Sequence, residues 1–176
     1  LPLLKTPKHE LTLPSTGEKL QYRPFLVGEE KGLLLALESG EDKQISESVM
    51  QTVRQCTFGK LDVTKAPMFD IEYVFLKIRM KAAGSKIEIK LLCPDDKETY
   101  ADAEIDLEEV EVFFPEGHEN NIKLTDEVGL VLDYPTIEMT GDLLGVGADT
   151  AWTIIKRCIR QIYDAENVHN RADMDE

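Results

Sequence analysis

Cys56, Cys93 and Cys158, together with His9, His118 and His169, are the side chains of this sequence best suited to nucleophilic or metal chemistry. Their spacing supports neither. No two cysteines form a CxxC pair and no histidine lies near a cysteine, whereas structural zinc sites pair ligands about two to four residues apart. Cys56 or Cys93 with His118 is the nucleophile–base pairing to consider for an unrecognised hydrolase. Any chain with three residues of each type allows it. The bland reading is three reduced cysteines acting as small apolar residues in a cytosolic protein.

Other constellations are equally thin. Gly141-Asp142-Leu143-Leu144-Gly145-Val146-Gly147 has three glycines, but not in the order of a phosphate-binding loop, and no Lys-Ser or Lys-Thr follows. A flexible loop before a helix accounts for them. Asp95-Asp96 and the run from Asp106 to Glu111 lack the spaced ligands and central glycine of a calcium loop, so a solvated acidic face is the better account. His9 is followed by Glu10 without a second histidine, and no G-x-S-x-G occurs. The sequence therefore points to no catalytic residue, no cofactor and no metal, and to a non-enzymatic protein.

The elements that would have to position any site follow from periodicity. Glu10–Leu13 and Leu20–Arg23 alternate around Pro14-Ser15-Thr16-Gly17, which predicts a β-hairpin. Glu29 and Glu30 open a helix filled by Leu33, Leu34, Leu35 and Leu37, and Gly40 suits its C-terminal cap. Ile45, Val49, Val53 and Cys56 give a second helix one apolar stripe over about 43–55, ended by Phe58-Gly59. The third helix, Met68 to Ala83, is closed by Gly84 and apolar on two faces. Phe69, Tyr73, Leu76 and Met80 lie on one face; Ile71, Val74, Phe75 and Ile78 lie on the other. A helix so apolar is either central to a core or covered by a partner.

An antiparallel β region should follow over about 85–134. Ile87, Ile89 and Leu91 alternate with charged residues, and a phase slip at Glu108-Glu109 predicts a bulge or strand break. Ile122, Leu124, Val128, Leu130 and Leu132 add one or two strands. A closing helix is expected over about 149–164, with Ala151, Ile155, Cys158, Ile159 and Ile162 in one stripe and Trp152 on its flank. Residues 165–176 read as an acidic, frayed tail. The fold class is α+β: an N-terminal β-hairpin, three helices over about 28–84, an antiparallel β region and a C-terminal helix, in one domain over 1–164.

Charge limits the partners. With 34 acids against 20 bases the chain carries −14, which argues against non-specific nucleic-acid or acidic-membrane binding. The acidity is local. Asp95 to Glu127 carries −11, Asp164 to Glu176 carries −4, and the remainder is nearly neutral. No apolar run approaches the roughly 20 residues that span a bilayer. Leu1-Pro2-Leu3-Leu4-Lys5 is too short before its first charge to serve as a signal peptide, so a soluble, intracellular protein is expected.

Several stretches together resemble the T4-type bacteriophage baseplate hub, or tail-assembly, protein family. They are Glu10–Gly17, Tyr22–Val27, Glu29-Glu30-Lys31 running into Ala36–Gly40, Phe69–Arg79, Cys93-Pro94, Leu124–Gly129 and Ile162–Asp164. Phe69-Asp70-Ile71-Glu72-Tyr73-Val74-Phe75-Leu76-Lys77-Ile78-Arg79 is the most specific, and the likeness spans roughly Leu3 to Tyr163. It implies a myophage baseplate hub assembly factor, chaperone-like, acting with other hub proteins or the tape-measure protein. The expected locations are the host cytoplasm during assembly and the virion tail baseplate. A permanent baseplate component is the near alternative, and a host-directed acidic mimic of nucleic acid the alternative of another class. A homo-oligomer is compatible with either tail role. Partner binding points to Phe69, Tyr73, Phe75 and Leu76 on the third helix and to Trp152, Ile155 and Ile159 on the closing one, with core packing the alternative for each.

Overall fold

The computed structural model describes residues 6–140 and 148–173. The leading pentapeptide and the Gly141–Gly147 cluster lie outside the described residues. The protein is mixed α and β, with antiparallel sheets throughout. The chain divides into two compact units, residues 1–63 with 69–112 and residues 64–68 with 113–176.

In the first unit, β1 (His9–Thr12) and β2 (Lys19–Tyr22) form the hairpin, with Leu11 opposite Leu20. Leu11, Leu13, Leu20 and Tyr22 are buried, so the alternation has one dry face. Helix α1 (Val27–Ser39) ends on Gly40, whose φ of 67° is the left-handed conformation that glycine adopts without strain. Helix α2 (Asp42–Cys56) buries Thr52, Val53 and Cys56. Helix α3 (Met68–Ala83) has the expected bounds, and the Gly84 N–H bonds the Met80 carbonyl oxygen at 3.1 Å.

A single carboxylate ties the hairpin to α3. Asp70, fully buried in the first turn of α3, accepts hydrogen bonds from the Ser15 N–H (3.1 Å) and the Ser15 hydroxyl. A buried acid without such donors would cost several kcal/mol, on the order of what a whole domain has to spare. The turn sequence Pro14-Ser15 is thus read twice, once for its bend and once for its donors.

Strands β3 (Lys86–Leu92) and β4 (Tyr100–Asp106) pair along their full length. The phase slip is a strand break. Asp106 accepts the Glu108 N–H (2.9 Å) and starts a 3-10 turn over Leu107–Glu109 that buries Leu107. Val110 and Val112 continue no strand.

The second unit holds a four-stranded antiparallel sheet in the order β5 (Asn121–Lys123), β6 (Gly129–Leu132), β7 (Ile159–Tyr163), β8 (Val168–Asn170). The antiparallel region over 85–134 is therefore not one sheet, because β3–β4 and β5–β6 fall in different units. A four-residue helix, α4 (Ile137–Thr140), precedes α5 (Ala148–Cys158). Pro67 bridges Thr136, and the Met68 N–H bonds the Pro135 carbonyl oxygen at 2.9 Å.

Two expectations are corrected here. The closing helix stops at Cys158, and Ile159 to Tyr163 is a strand paired with β6 and β8. Ile155, Cys158, Ile159 and Ile162 satisfy helical spacing, but β-branched and aromatic residues flanked by a turn also satisfy a strand, and pairing on both sides decides for it. The tail is not frayed over 168–170, where β8 closes the sheet. Asp164 makes that turn by accepting the N–H groups of Glu166 (2.8 Å) and Asn167 (2.7 Å), which also holds its carboxyl below the usual range. Gly129 faces Tyr163 across the β6–β7 pair, and a Cβ there would fall 2.3 Å from the Tyr163 hydroxyl oxygen.

Candidate partner-binding surfaces

The groups capable of chemistry are occupied by structure. Cys56 is fully buried at the end of α2, where burial, and next the nearby Glu29 carboxylate, pushes its thiol up to about 12. A thiol so far from ionising is a poor nucleophile. Beside it, Arg23 grips Glu29 in a two-pronged ion pair, 2.8 and 2.7 Å, with both side chains mostly buried. Glu29 also accepts the Leu26 N–H at 2.7 Å, closing the first turn of α1. The Arg23 bond holds the Glu29 carboxyl below its ordinary value.

Cys158 is buried, and burial raises its thiol too; Cys93 is half-buried. In the second unit, His118 stacks on Tyr134 with ring centres 5.8 Å apart, its Nε2 lying 2.9 Å from the Tyr134 hydroxyl, and Phe114 flanks it at 5.2 Å. Among the described residues, no group of three or more His, Cys, Asp or Glu side chains is arranged to hold a metal ion. No helix of the described residues is long and apolar enough to cross a membrane. Asp96 is used by its own loop, accepting the Glu98 and Thr99 N–H groups at 3.0 Å and the Thr99 hydroxyl, which brings its carboxyl down to about 2.

The partner-binding candidates separate into two sets. On α3 the buried residues are Asp70, Val74 and Ile78, at the i, i+4, i+8 spacing of one helical face, with Ile71 beside them and Met80, expected on the other face, also buried. Phe69, Tyr73, Phe75 and Leu76 stay half-buried around that face, and the Lys77 ammonium sits 5.0 Å from the Tyr73 ring centre. In the second unit, Trp152 is 61% exposed and Ile155 is exposed, three residues apart on α5. Ile159 belongs to β7 and is half-buried, so it leaves the helical stripe assigned to it.

Sequence reasoning missed a third surface. In α1 the residue that goes inside is Ala36, while Val27 (82% exposed), Leu34, Leu35 and Leu37 (58%) face solvent. Gly28 and Gly32 lie on the same side as Ala36, at i, i+4, i+8, above a groove of about 400 Å³ that also meets Ser48, Gln51 and Thr52 of α2. Gly28 and Gly32 are themselves exposed, and Glu29 and Leu33 are half-buried beside Ala36, so the small-residue spacing in the sequence does not mark the inner side of α1. The β3–β4 hairpin is open as well. Its apolar side, Ile87, Ile89, Leu91 and Ile105, is at most half-covered, and Lys86 and Lys90 stand opposite Asp106 and Asp102 on the other side.

These surfaces suit a protein whose work is to touch other proteins. No curated protein and no solved structure matches the chain. A family model does, over residues 6–176, and by it the chain belongs to the family described as T4 bacteriophage base plate protein.

Proposed function

We propose that the chain is a chaperone-like assembly factor of the baseplate hub, binding hub or tape-measure proteins and catalysing no reaction. The observation that carries this reading is the exposure of large apolar side chains on helices of both units, α1 and α5, in a chain of net charge −14. Apolar anchors supply affinity, and the net negative charge of the whole chain discourages self-association. Assembly would take place in the host cytoplasm.

A permanent place in the virion baseplate is the second reading, favoured by the family's own description. The two differ in stoichiometry. Co-expression with neighbouring tail proteins, affinity purification, and proteomics of finished tails test them together. The assembly role expects capture of a hub or tape-measure protein by the free chain and substoichiometric amounts in finished tails. Stoichiometric presence in tails argues for the structural role, and failure to capture any tail protein defeats both. A nucleic-acid mimic needs uniform acidic spacing, and the β3–β4 ladder instead interleaves lysines with acids, with Lys86 bonded to Glu104 at 2.6 Å.

A further inference from the structure

We propose that the open edge of β4 is the docking site for an extended strand of a different polypeptide, one that alternates lysine or arginine with large apolar residues. This rests on the reading of the chain as a baseplate protein that binds other tail proteins. Among the described residues the β3–β4 sheet has no third strand. A two-stranded ribbon is marginal by itself, and a third strand is the ordinary remedy. The Cys93 N–H bonds the Thr99 carbonyl oxygen at 2.8 Å and the Leu107 N–H that of Ser85 at 2.9 Å, so 93–99 and 85–107 are bonded pairs. Alternation along the ladder then turns the N–H and C=O groups of Ala101, Ala103 and Ile105 toward β3, and those of Asp102 and Glu104 away from it. Tyr100 to Asp106 offers an edge about 20 Å long. It lacks the proline, lysine or bulge that commonly blunts such an edge.

Charge selects what pairs there. From Asp95 to Val112, through the tip of the hairpin, β4 and the 3-10 turn beyond it, nine acids stand against one base, Lys97. On the charged side of the ladder Lys86 and Lys90 meet Asp102, Glu104 and Asp106, together with Glu88 of their own strand. Glu88 and Glu104 are directly opposite, two carboxylates lining a groove of about 500 Å³. An arriving strand with cations on that side relieves the excess. On the other side Ala101 and Ala103 are small, and β3 shows the fit by setting Leu91 and Ile89 against them. A second copy of the chain fits worse. Its β4 would set acid against acid, and its β3 carries Glu88, which meets a carboxylate in every register that pairs most of the strand.

The test is fluorescence anisotropy of the full chain with labelled peptides that alternate isoleucine with lysine or, for comparison, with glutamate. The lysine peptide should bind at least about tenfold tighter, with an affinity that falls as salt rises. In an antiparallel ladder its lysines lie opposite Asp102 and Glu104 and exchange the backbone bonds. N-methylating the lysine amides should therefore cost at least about tenfold, and the isoleucine amides little. Asp102→Asn/Glu104→Gln should weaken binding at least about threefold and flatten the salt dependence, with an unchanged circular dichroism spectrum. Glu104→Pro removes an outward N–H and should cost at least about tenfold, whereas Val168→Ser, on β8, should change nothing. Equal binding of the two peptides, no binding of the lysine peptide, or binding indifferent to N-methylation would overturn the proposal. So would self-association in sedimentation that Glu104→Pro abolishes. Pull-downs with co-expressed tail proteins separate this inference from the reading beneath it. Loss of capture by a folded Glu104→Pro chain supports the inference, undiminished capture defeats it alone, and no capture by the wild-type chain defeats the reading.

Discussion

Helices α1 and α3 of the first unit are both rich in large apolar side chains and put them to opposite uses. Helix α3 sends Ile71, Val74 and Ile78 into the core and holds its aromatics at the margin. Helix α1 sends Ala36 inward and leaves Leu34, Leu35 and Leu37 in water. Burial of apolar area stabilises by roughly 25 cal/mol per Å², so α3 contributes stability that the exposed leucines of α1 do not. Apolar content alone does not say how much of a helix is buried.

Substitutions can break or sharpen this contrast. The largest effect belongs to α3: Ile71→Ala should lower the unfolding free energy by about 2–5 kcal/mol in urea denaturation followed by circular dichroism. Asp70→Ala should cost less, about 1–3 kcal/mol, because it leaves the Ser15 donors without their buried acceptor. Ser15→Ala in the same background should then add little, and full additivity of the two would contradict the shared bond. On α1 the sign reverses. Nothing lies within 4 Å of a Cβ built on Gly32, so Gly32→Ala should stabilise by up to about 1 kcal/mol through helix propensity. Leu34→Ser, 54% exposed in the wild type, should stay within about 0.5 kcal/mol.

Acidity probes the clamp at the head of α1. The Glu29 carboxyl, lowered in the folded chain by Arg23, contributes stability that is present above its unfolded value near 4.5 and lost as pH falls through the lower folded value. Glu29→Gln should therefore lower stability at pH 7 and shrink the loss between neutral pH and the acid range, read from urea midpoints at each pH. Thiol labelling gives the last comparison. Iodoacetamide at pH 8 should modify Cys93 in the native chain and reach Cys56 and Cys158 only on unfolding, as mass spectrometry of digests would register.

Much of the first unit can be read from local pattern. The hairpin, the bounds of α3 and the left-handed Gly40 follow from alternation, dipole-ordered charges and glycine chemistry within a few residues. The direction of α1 does not, because Leu33, Leu34, Leu35 and Leu37 spread over about 200° of the helix and only α2 decides which side is inside. The C-terminal strands were hidden for another reason. Ile155 to Ile162 fits a helix, and the partners that make Ile159–Tyr163 a strand lie some 30 residues earlier, at Gly129–Leu132. Asp164 and Asn167, a turn pair between two short β-prone runs, were the local clue. Exposure follows the same division: the aromatic residues of α3 are half-buried and Trp152 on α5 is exposed, whereas the exposure of the α1 leucines is visible only in the fold.

The division of the chain also sets an order of events on the ribosome. All residues of the first unit have been made once Val112 is joined, but the second waits for β7 and β8. At about 5–20 residues per second, the stretch from 113 to 173 takes roughly 3–12 s. Within that interval β6 waits for β7 once it has been made, and the Thr64–Met68 segment waits for Pro135 and Thr136. The nascent chain thus holds every residue of its first unit before the four-stranded sheet of its second can close.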